Sequence, residues 1–123
     1  MICLDTNYLI RALIPGTPDA KRLEAWVASG ERVILPAVAW YEFLCGCTNE
    51  EEQLALALLT GGLHPFDDKV ARIAARIFRS VKTPRHLRVD AMIAGTAIAA
   101  NARLATNNRA DFKPFVAHGL LLI

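Results

Sequence analysis

The sequence predicts an α/β/α sandwich, with helices on both faces of a central, mainly parallel sheet of four or five short strands. Two observations predict this fold class. Short apolar runs of strand type alternate with helical segments along the whole chain, and continuous apolar runs are typical of strands buried on both faces. The chain has 123 residues, 54% of them hydrophobic and 21% charged. These values predict one folded domain over residues 1–123 with a sizeable core.

Five apolar runs are the predicted strands, and turn residues or helical segments flank each of them. They cover residues 2–4, 33–35, 63–66, 103–106 and 120–123. Helices are predicted between them at 7–14, 18–29, 36–44, 49–61 and 89–101. Pro18 is tolerated in a first helical turn, and Asn49 is a favoured residue type for a helix cap. In a parallel sheet of this kind, ligands bind beyond the carboxyl ends of the strands.

The clearest helix follows Asp67 or Asp68, either of which can cap it. Its apolar residues recur at helical spacing and form one stripe: Val70, Ile73, Ala74, Ile77, Phe78 and Val81. Pro84 is expected to end this helix. The opposite face is basic, because residues 69–88 contain seven lysines and arginines and no acidic residue. An ordinary solvated helix face and a salt-dependent guide for RNA are both compatible with this pattern.

Composition excludes several classes of protein. No apolar run approaches the roughly 20 residues of a membrane span, and the start lacks a signal-peptide pattern. The three cysteines are an odd number, and the scattered histidines supply too few ligands for a structural zinc site. We therefore expect a cytoplasmic protein with reduced thiols. A net charge of +2 is too small to indicate nucleic-acid binding by itself.

Three carboxylates stand alone in segments that are otherwise apolar. Asp5 follows the first strand, Glu42 lies in "PAVAWYEFLCGC", and Asp90 lies in "VDAMIAGTAIAANA". An ionised carboxylate that is buried without a partner is costly, so each needs a compensating cation or a raised pKa. One divalent cation would compensate several carboxylates at once, and Mg²⁺ prefers oxygen ligands.

Each carboxylate also has a purely structural interpretation. Asp5 could accept hydrogen bonds from backbone N–H groups at the start of the next helix. Asp90 could be an N-cap, and Glu42 could pair with an arginine. One shared site explains three isolated carboxylates more simply than three separate roles.

A fourth acidic candidate follows the predicted strand at 103–106, in the segment "TNNRADF". Asn107, Asn108 and Asp111 of this segment follow the end of a strand, and so does Asp5. Thr106 adds a hydroxyl at the same place. Asp111 lies between Arg109 and Lys113, so a solvated loop carboxylate is equally compatible with the sequence.

Four segments, taken in order, resemble the PIN-domain family and within it the VapC-like ribonuclease toxins of toxin–antitoxin pairs. They are "LDTNYLI", "YEF", "DAMIAGTAIA" and "ATNNRADF". The resemblance covers nearly the whole chain and implies a PIN-like fold. It also implies an acidic site made of Asp5, Glu42 and Asp90, with a fourth acidic position in the last segment. The residue two after Thr106, often acidic in such proteins, is here Asn108, and we favour Asp111 as the fourth acid.

The resemblance implies an endoribonuclease that depends on Mg²⁺ or Mn²⁺ and leaves a 5′-phosphate. In this interpretation Asp5 and Asp90 bind the principal ion directly, whereas Glu42 and Asp111 act through water or a second ion. Four polar residues are expected to orient the carboxylates or contact a phosphate: Thr6, Asn7, Thr106 and Asn108. Arg85 and Arg88, close to Asp90 in sequence, are the expected RNA contacts.

The resemblance further implies two protein partners. One is a cognate antitoxin, whose acidic or arginine-bearing tail would occupy the cleft. The other is a second copy of the chain, in a homodimer for which we expect the helix at 49–61 or its neighbours to form the interface.

Two other functions are compatible with parts of the sequence. A PIN scaffold that binds RNA or protein without cleaving is one, because Asn108 stands at an often acidic position. An Asp-based phosphotransfer domain is the other. "LDTN", however, lacks the second aspartate of haloacid-dehalogenase-type phosphatases, and no lysine lies at a late strand end.

Overall fold

The computed structural model describes residues 1–81 and 85–123. It contains one five-stranded sheet in the order β3-β2-β1-β4-β5, and all four strand pairings are parallel. Helices flank this sheet, so the predicted α/β/α sandwich with a parallel sheet is confirmed.

The strands are short and lie close to their predicted positions. Their bounds are β1 Ile2–Leu4, β2 Val33–Pro36, β3 Gly62–His64, β4 Arg103–Ala105 and β5 Leu121–Leu122. The central strand β1 pairs with β2 through Ile2↔Val33 and with β4 through Ile2↔Arg103. All residues of β1 and β2 are buried, which explains why both read as continuous apolar runs.

Seven α-helices and two 3-10 turns are present in the described part of the chain. The helices are α1 Thr6–Ala12, α2 Pro18–Ala28, α3 Ala37–Leu44, α4 Asn49–Leu58, α5 Asp68–Ser80, α6 Arg88–Ala99 and α7 Arg109–Phe112. The 3-10 turns are Arg85–Leu87 and Lys113–His118. Helix α7 and the second 3-10 turn were not predicted, because the segment after β4 reads as a polar loop.

One predicted helix cap is wrong, and one alternative interpretation is excluded. Thr48, not Asn49, caps α4, and it forms a capping box in which its hydroxyl accepts from the N–H of Glu51 while the Glu51 carboxylate accepts from the N–H of Thr48. Asp90 is not an N-cap either, because α6 begins two residues earlier and Asp90 lies in its first turn. At α5, Asp67 rather than Asp68 is the cap, with its carboxylate accepting from the N–H of Val70 at 3.0 Å.

Helices α5 and α6 pack closely at one small residue. A Cβ atom added at Gly95 would lie 3.0 Å from both the Cβ and the N of Ala74. The predicted stripe of α5 faces inward here, since Val70, Ala74 and Ile77 are buried. This packing fixes α6, and therefore Asp90, against the rest of the chain.

Two sequence-based expectations concern residues outside the described part of the chain. They are the end of α5 at Pro84 and the contribution of Lys82 to the basic face. Within residues 1–81 and 85–123, no helix has both the length and the apolarity needed to cross a membrane.

Candidate active site

Asp5 lies at the carboxyl end of the central strand and is 6% exposed. Its backbone N–H donates to the carbonyl of Ala105 in the neighbouring strand β4 at 3.1 Å. As the N-cap of α1, it accepts with Oδ1 from the N–H of Thr6 at 2.7 Å. Its Oδ2 accepts from the hydroxyl of Thr106 at 2.8 Å. Both carboxylate oxygens are therefore held in place by neighbouring donors.

Glu42 lies in α3 and is joined to the site by a hydrogen bond with a hydroxyl group of α1. The Oγ1 of Thr6 donates to the Oε1 of Glu42 at 2.8 Å, so Thr6 links Asp5 and Glu42. Glu42 is classed as exposed, although the sequence places it in an apolar segment. The expectation that it is buried is wrong, because α3 turns this side chain outward. The alternative of pairing with an arginine is replaced by the contact with Thr6.

The segment after β4 supplies a hydroxyl, an amide and a carboxylate. Thr106 is buried, and its Oγ1 accepts from the backbone N–H of Asn108 at 2.9 Å while donating to Asp5. The side-chain amide of Asn108 donates to the Oδ2 of Asp111. Asn108 and Asp111 are therefore paired rather than being alternative occupants of one position.

Asp90 projects from the first turn of α6 and is half-buried. Burial raises its pKa to about 6, and the negative charges of Asp5, Asp111 and Glu42 add to the rise, while His86 opposes it. Three other carboxylates are thus close enough to disfavour the ionised form of Asp90.

The pKa of Asp5 is raised as well, first by burial. The hydrogen bonds from Thr106 and Thr6 oppose this rise, whereas Glu42 and Asp111 reinforce it. Asp5, Glu42 and Asp111 all raise the pKa of Asp90, so the four carboxylates predicted from the sequence lie in one region of the structure. A divalent cation bound among these carboxylates would relieve their mutual repulsion.

The four carboxylates are nevertheless spread more widely than the ligands of a closed metal site. Among residues 1–81 and 85–123, no group of three or more His, Cys, Asp or Glu side chains is drawn together tightly enough to hold an ion. The donor chemistry fits a hard cation such as Mg²⁺ or Mn²⁺, because every candidate ligand is a carboxylate or neutral oxygen. The candidate ligands are therefore of the chemical type that such an ion prefers.

Asn7, which was expected at this site, and Asn107 of the segment "TNNRADF" lie apart from the hydrogen-bond network of the acidic residues. Asn7 is exposed, and no hydrogen bond joins its side chain to the acidic residues in the described structure. Asn107 instead donates to the carboxylate of Asp19 at 2.8 Å. The two predicted RNA contacts, Arg85 and Arg88, are exposed near the start of α6, and the Arg88 guanidinium lies 5.6 Å from the centroid of the Phe78 ring.

Asp19 is a buried carboxylate that the sequence analysis missed. It is 6% exposed, and its Oδ2 accepts from the Nε of Arg11 at 3.0 Å as well as from Asn107. In the sequence it follows Pro18 in a first helical turn, where an acidic residue is ordinary. No sequence signal distinguishes it, because both partners come from other segments.

Fold and site together define a class of α/β protein in which carboxylates gather at the carboxyl edge of a parallel sheet. The family model described as "PIN domain" matches residues 2–114, and the chain belongs to this family. The resemblance inferred from the four sequence segments is thereby confirmed. A comparison with curated proteins found no match.

Several solved structures are similar to the chain over its length. FitAcB from Neisseria gonorrhoeae is 28% identical with a TM-score of 0.72, covering 100% of this chain and 97% of that one. A toxin–antitoxin complex from Klebsiella pneumoniae is 26% identical with a TM-score of 0.72, covering 91% and 90%. VapBC2 from Rickettsia felis, bound to a DNA fragment from its promoter, shares the fold at 24% identity and a TM-score of 0.72, covering 100% and 98%.

Proposed function

We propose that this protein is a metal-dependent endoribonuclease and acts as the toxin of a toxin–antitoxin pair, within a single domain spanning residues 1–123. PIN-domain proteins are nucleases, and the similar structures include a toxin–antitoxin complex. The observation that carries the proposal is that three carboxylates from separate segments, Asp5, Glu42 and Asp111, all raise the pKa of a fourth, Asp90.

Asp5 and Asp90 would hold Mg²⁺ or Mn²⁺ directly. Glu42 and Asp111 would act through water or a second ion. When bound, the ion would lower the pKa of a water molecule and neutralise charge on the phosphate. Asp5 suits a direct ligand because both of its oxygens are already oriented by Thr6 and Thr106, and little further ordering is needed.

The residues around the carboxylates supply orientation. Thr6 holds Asp5 and Glu42 with one residue, using its N–H for the first and its hydroxyl for the second. Asn108 orients Asp111 with its side chain and anchors on Thr106 with its backbone. Asn7 is exposed and would contact a phosphate of the substrate rather than orient a carboxylate.

RNA affinity needs cations, since the site itself is negative. Arg85 and Arg88 flank the start of α6, two to five residues before Asp90, and would contact the RNA backbone. Along α5 the basic face is partly self-neutralised, because Arg72 pairs with Asp68 at 2.8 Å. Such exposed contacts give affinity that weakens with salt and carries no sequence information.

Two protein partners belong to the proposal. A cognate antitoxin would block the acidic cluster and is expected because similar chains occur in such complexes. A homodimer is proposed through α4 and its neighbours, where Leu54 and Leu56 of α4 are 47% and 44% exposed. These two leucines lie two residues apart and therefore on different sides of α4, so the homodimer is proposed on the family resemblance rather than on a single apolar face.

A catalytically inactive PIN scaffold is the second candidate, favoured by the spacing of the acidic side chains within the described residues. One experiment separates the two functions. The parent protein, Asp5→Asn and Asp90→Asn are incubated with structured RNA and Mg²⁺ or Mn²⁺, with Asp68→Asn as a control carboxylate in another first helical turn. Cleavage by the parent and the control but by neither site variant supports the nuclease. RNA binding without cleavage by any of them supports the scaffold, and cleavage by all four contradicts the site.

The toxin role has its own test. Expression of the parent should arrest growth of the host cell, and Asp5→Asn should abolish the arrest. Growth that is insensitive to both proteins would favour a housekeeping nuclease.

A further inference from the structure

The most informative cluster outside the acidic site is centred on Asp19. One carboxylate oxygen, Oδ2, accepts two hydrogen bonds, from the Arg11 Nε at 3.0 Å and from the Asn107 side-chain amide at 2.8 Å. These three residues come from α1, from the start of α2 and from the segment after β4. Asp19 thus joins two helices to a segment that lies 88 residues away in the chain.

The position of Asn107 gives this contact its significance. Asn107 follows Thr106, which donates to Asp5, and precedes Asn108, which donates to Asp111. Asn107 is an exposed residue, so packing alone does not fix it. The contact with Asp19 is therefore a fixed point between the two site contacts.

We propose that Asp19 and Asn107 form a latch that positions the segment 106–111, which carries the site residues Thr106, Asn108 and Asp111. They are positioning residues and touch neither substrate nor ion. Arg11 completes the latch by placing its positive charge against the buried Asp19 carboxylate, on the same oxygen that accepts from Asn107. The consequence of the latch for activity, through the placement of Thr106 and Asp111, rests on the proposed metal-dependent function. The latch itself is a property of the fold.

An ordinary structural role for Asp19 makes a different prediction. A buried ion pair that merely stabilises the protein would change global stability and leave the segment 106–111 as rigid as before. A latch loosens that segment first. The backbone N–H groups of Asn108 and Asp111 are both hydrogen-bonded, to Thr106 and to the carbonyl of Asn108 respectively, so their hydrogen exchange reports the loosening.

The variants are Asn107→Asp, Asp19→Asn and the double variant Asp19→Asn with Asn107→Asp. In Asn107→Asp, two carboxylates face each other where an amide donated at 2.8 Å. In the double variant the amide at position 19 can donate to the carboxylate at position 107, which is the reverse of the parent contact. The net charge of the parent is kept. Glu24→Gln, an exposed carboxylate on α2, is the matched control for loss of charge.

Amide hydrogen exchange on the metal-free protein is the first measurement. Exchange at Asn108 and Asp111 should be about tenfold faster in Asn107→Asp and in Asp19→Asn, and should return towards the parent rate in the double variant. Glu24→Gln should match the parent. Unchanged exchange in both single variants overturns the latch, whatever the protein does to RNA.

Mn²⁺ affinity is the second measurement, and the direction in which Asn107→Asp changes it is diagnostic. By charge alone, the extra carboxylate of Asn107→Asp would raise affinity for a cation. A displaced segment would instead lower it by about tenfold, with recovery in the double variant. Increased affinity in Asn107→Asp contradicts the latch. A parent that binds no Mn²⁺ contradicts the proposed function, and the exchange result then decides the latch by itself.

Discussion

Asp90→Asn is expected to make the metal-free protein more stable at neutral pH while removing its activity. The pKa of Asp90 is raised from its ordinary value of 3.8 to about 6, first by burial and then by three neighbouring carboxylates. A group whose pKa is raised on folding favours the native state when protonated. Its contribution is fully present below pH 3.8 and is lost as the pH rises through about 6.

The magnitude follows from the same values. A rise from 3.8 to about 6 corresponds to at most ~3 kcal/mol of lost stability at pH 7. Asp90 is only half-buried, so solvent screening reduces this figure to about 1 kcal/mol. A neutral asparagine at this position avoids the penalty, and Asp90→Asn should therefore gain about 1 kcal/mol at pH 7.5.

Urea denaturation in EDTA at pH 7.5 and pH 4.5 measures the effect. The gain should shrink by at least half at pH 4.5, where the parent Asp90 is already protonated in the native state. Asp68→Asn is the control, because Asp68 also lies in a first helical turn but is 79% exposed. It should lose a few tenths of a kcal/mol through the helix dipole. A destabilised Asp90→Asn at pH 7.5, or a gain that does not depend on pH, would refute the electrostatic account of the site.

Three further substitutions test other parts of the structure. Thr106→Val removes the donor to Asp5 and the acceptor for Asn108 and should lower RNA cleavage by about 10- to 100-fold; parent-like rates would contradict its positioning role. Gly95→Ala should cost about 1–2 kcal/mol in thermal unfolding, because its Cβ would lie 3.0 Å from Ala74, whereas Gly46→Ala has open space and should be neutral. Arg88→Ala should reduce the slope of log RNA affinity against log salt by about 1, and an unchanged slope would remove Arg88 from the RNA interface.

The sheet could be predicted from the sequence because each central strand is buried on both faces. Ile2, Cys3 and Leu4 are all 0% exposed, and a continuous apolar run is the direct signature of that environment. Asp5 could be identified for the same reason, since a carboxylate that ends such a run is conspicuous. The buried face of α5 could likewise be predicted, because its apolar residues recur at helical spacing.

Other features depend on tertiary contacts that no local pattern encodes. The exposure of Glu42 depends on how α3 rotates against α1, and its contact with Thr6 spans 36 residues. Asp19 looks like an ordinary residue of a first helical turn, although partners from two other segments bury it. Helix α7 is only four residues long, too short for a periodic pattern to reveal.

The carboxylates of Asp5, Glu42, Asp90 and Asp111 are proposed to bind one or two divalent cations together. Calorimetric titration of the metal-free protein with Mn²⁺ at pH 7.5 tests this claim most directly, with Asp5→Asn and the control Asp68→Asn measured in parallel. We expect saturable binding by the parent and the control and at least tenfold weaker binding by Asp5→Asn. Parent-like affinity in Asp5→Asn, or no binding by the parent, would contradict the claim.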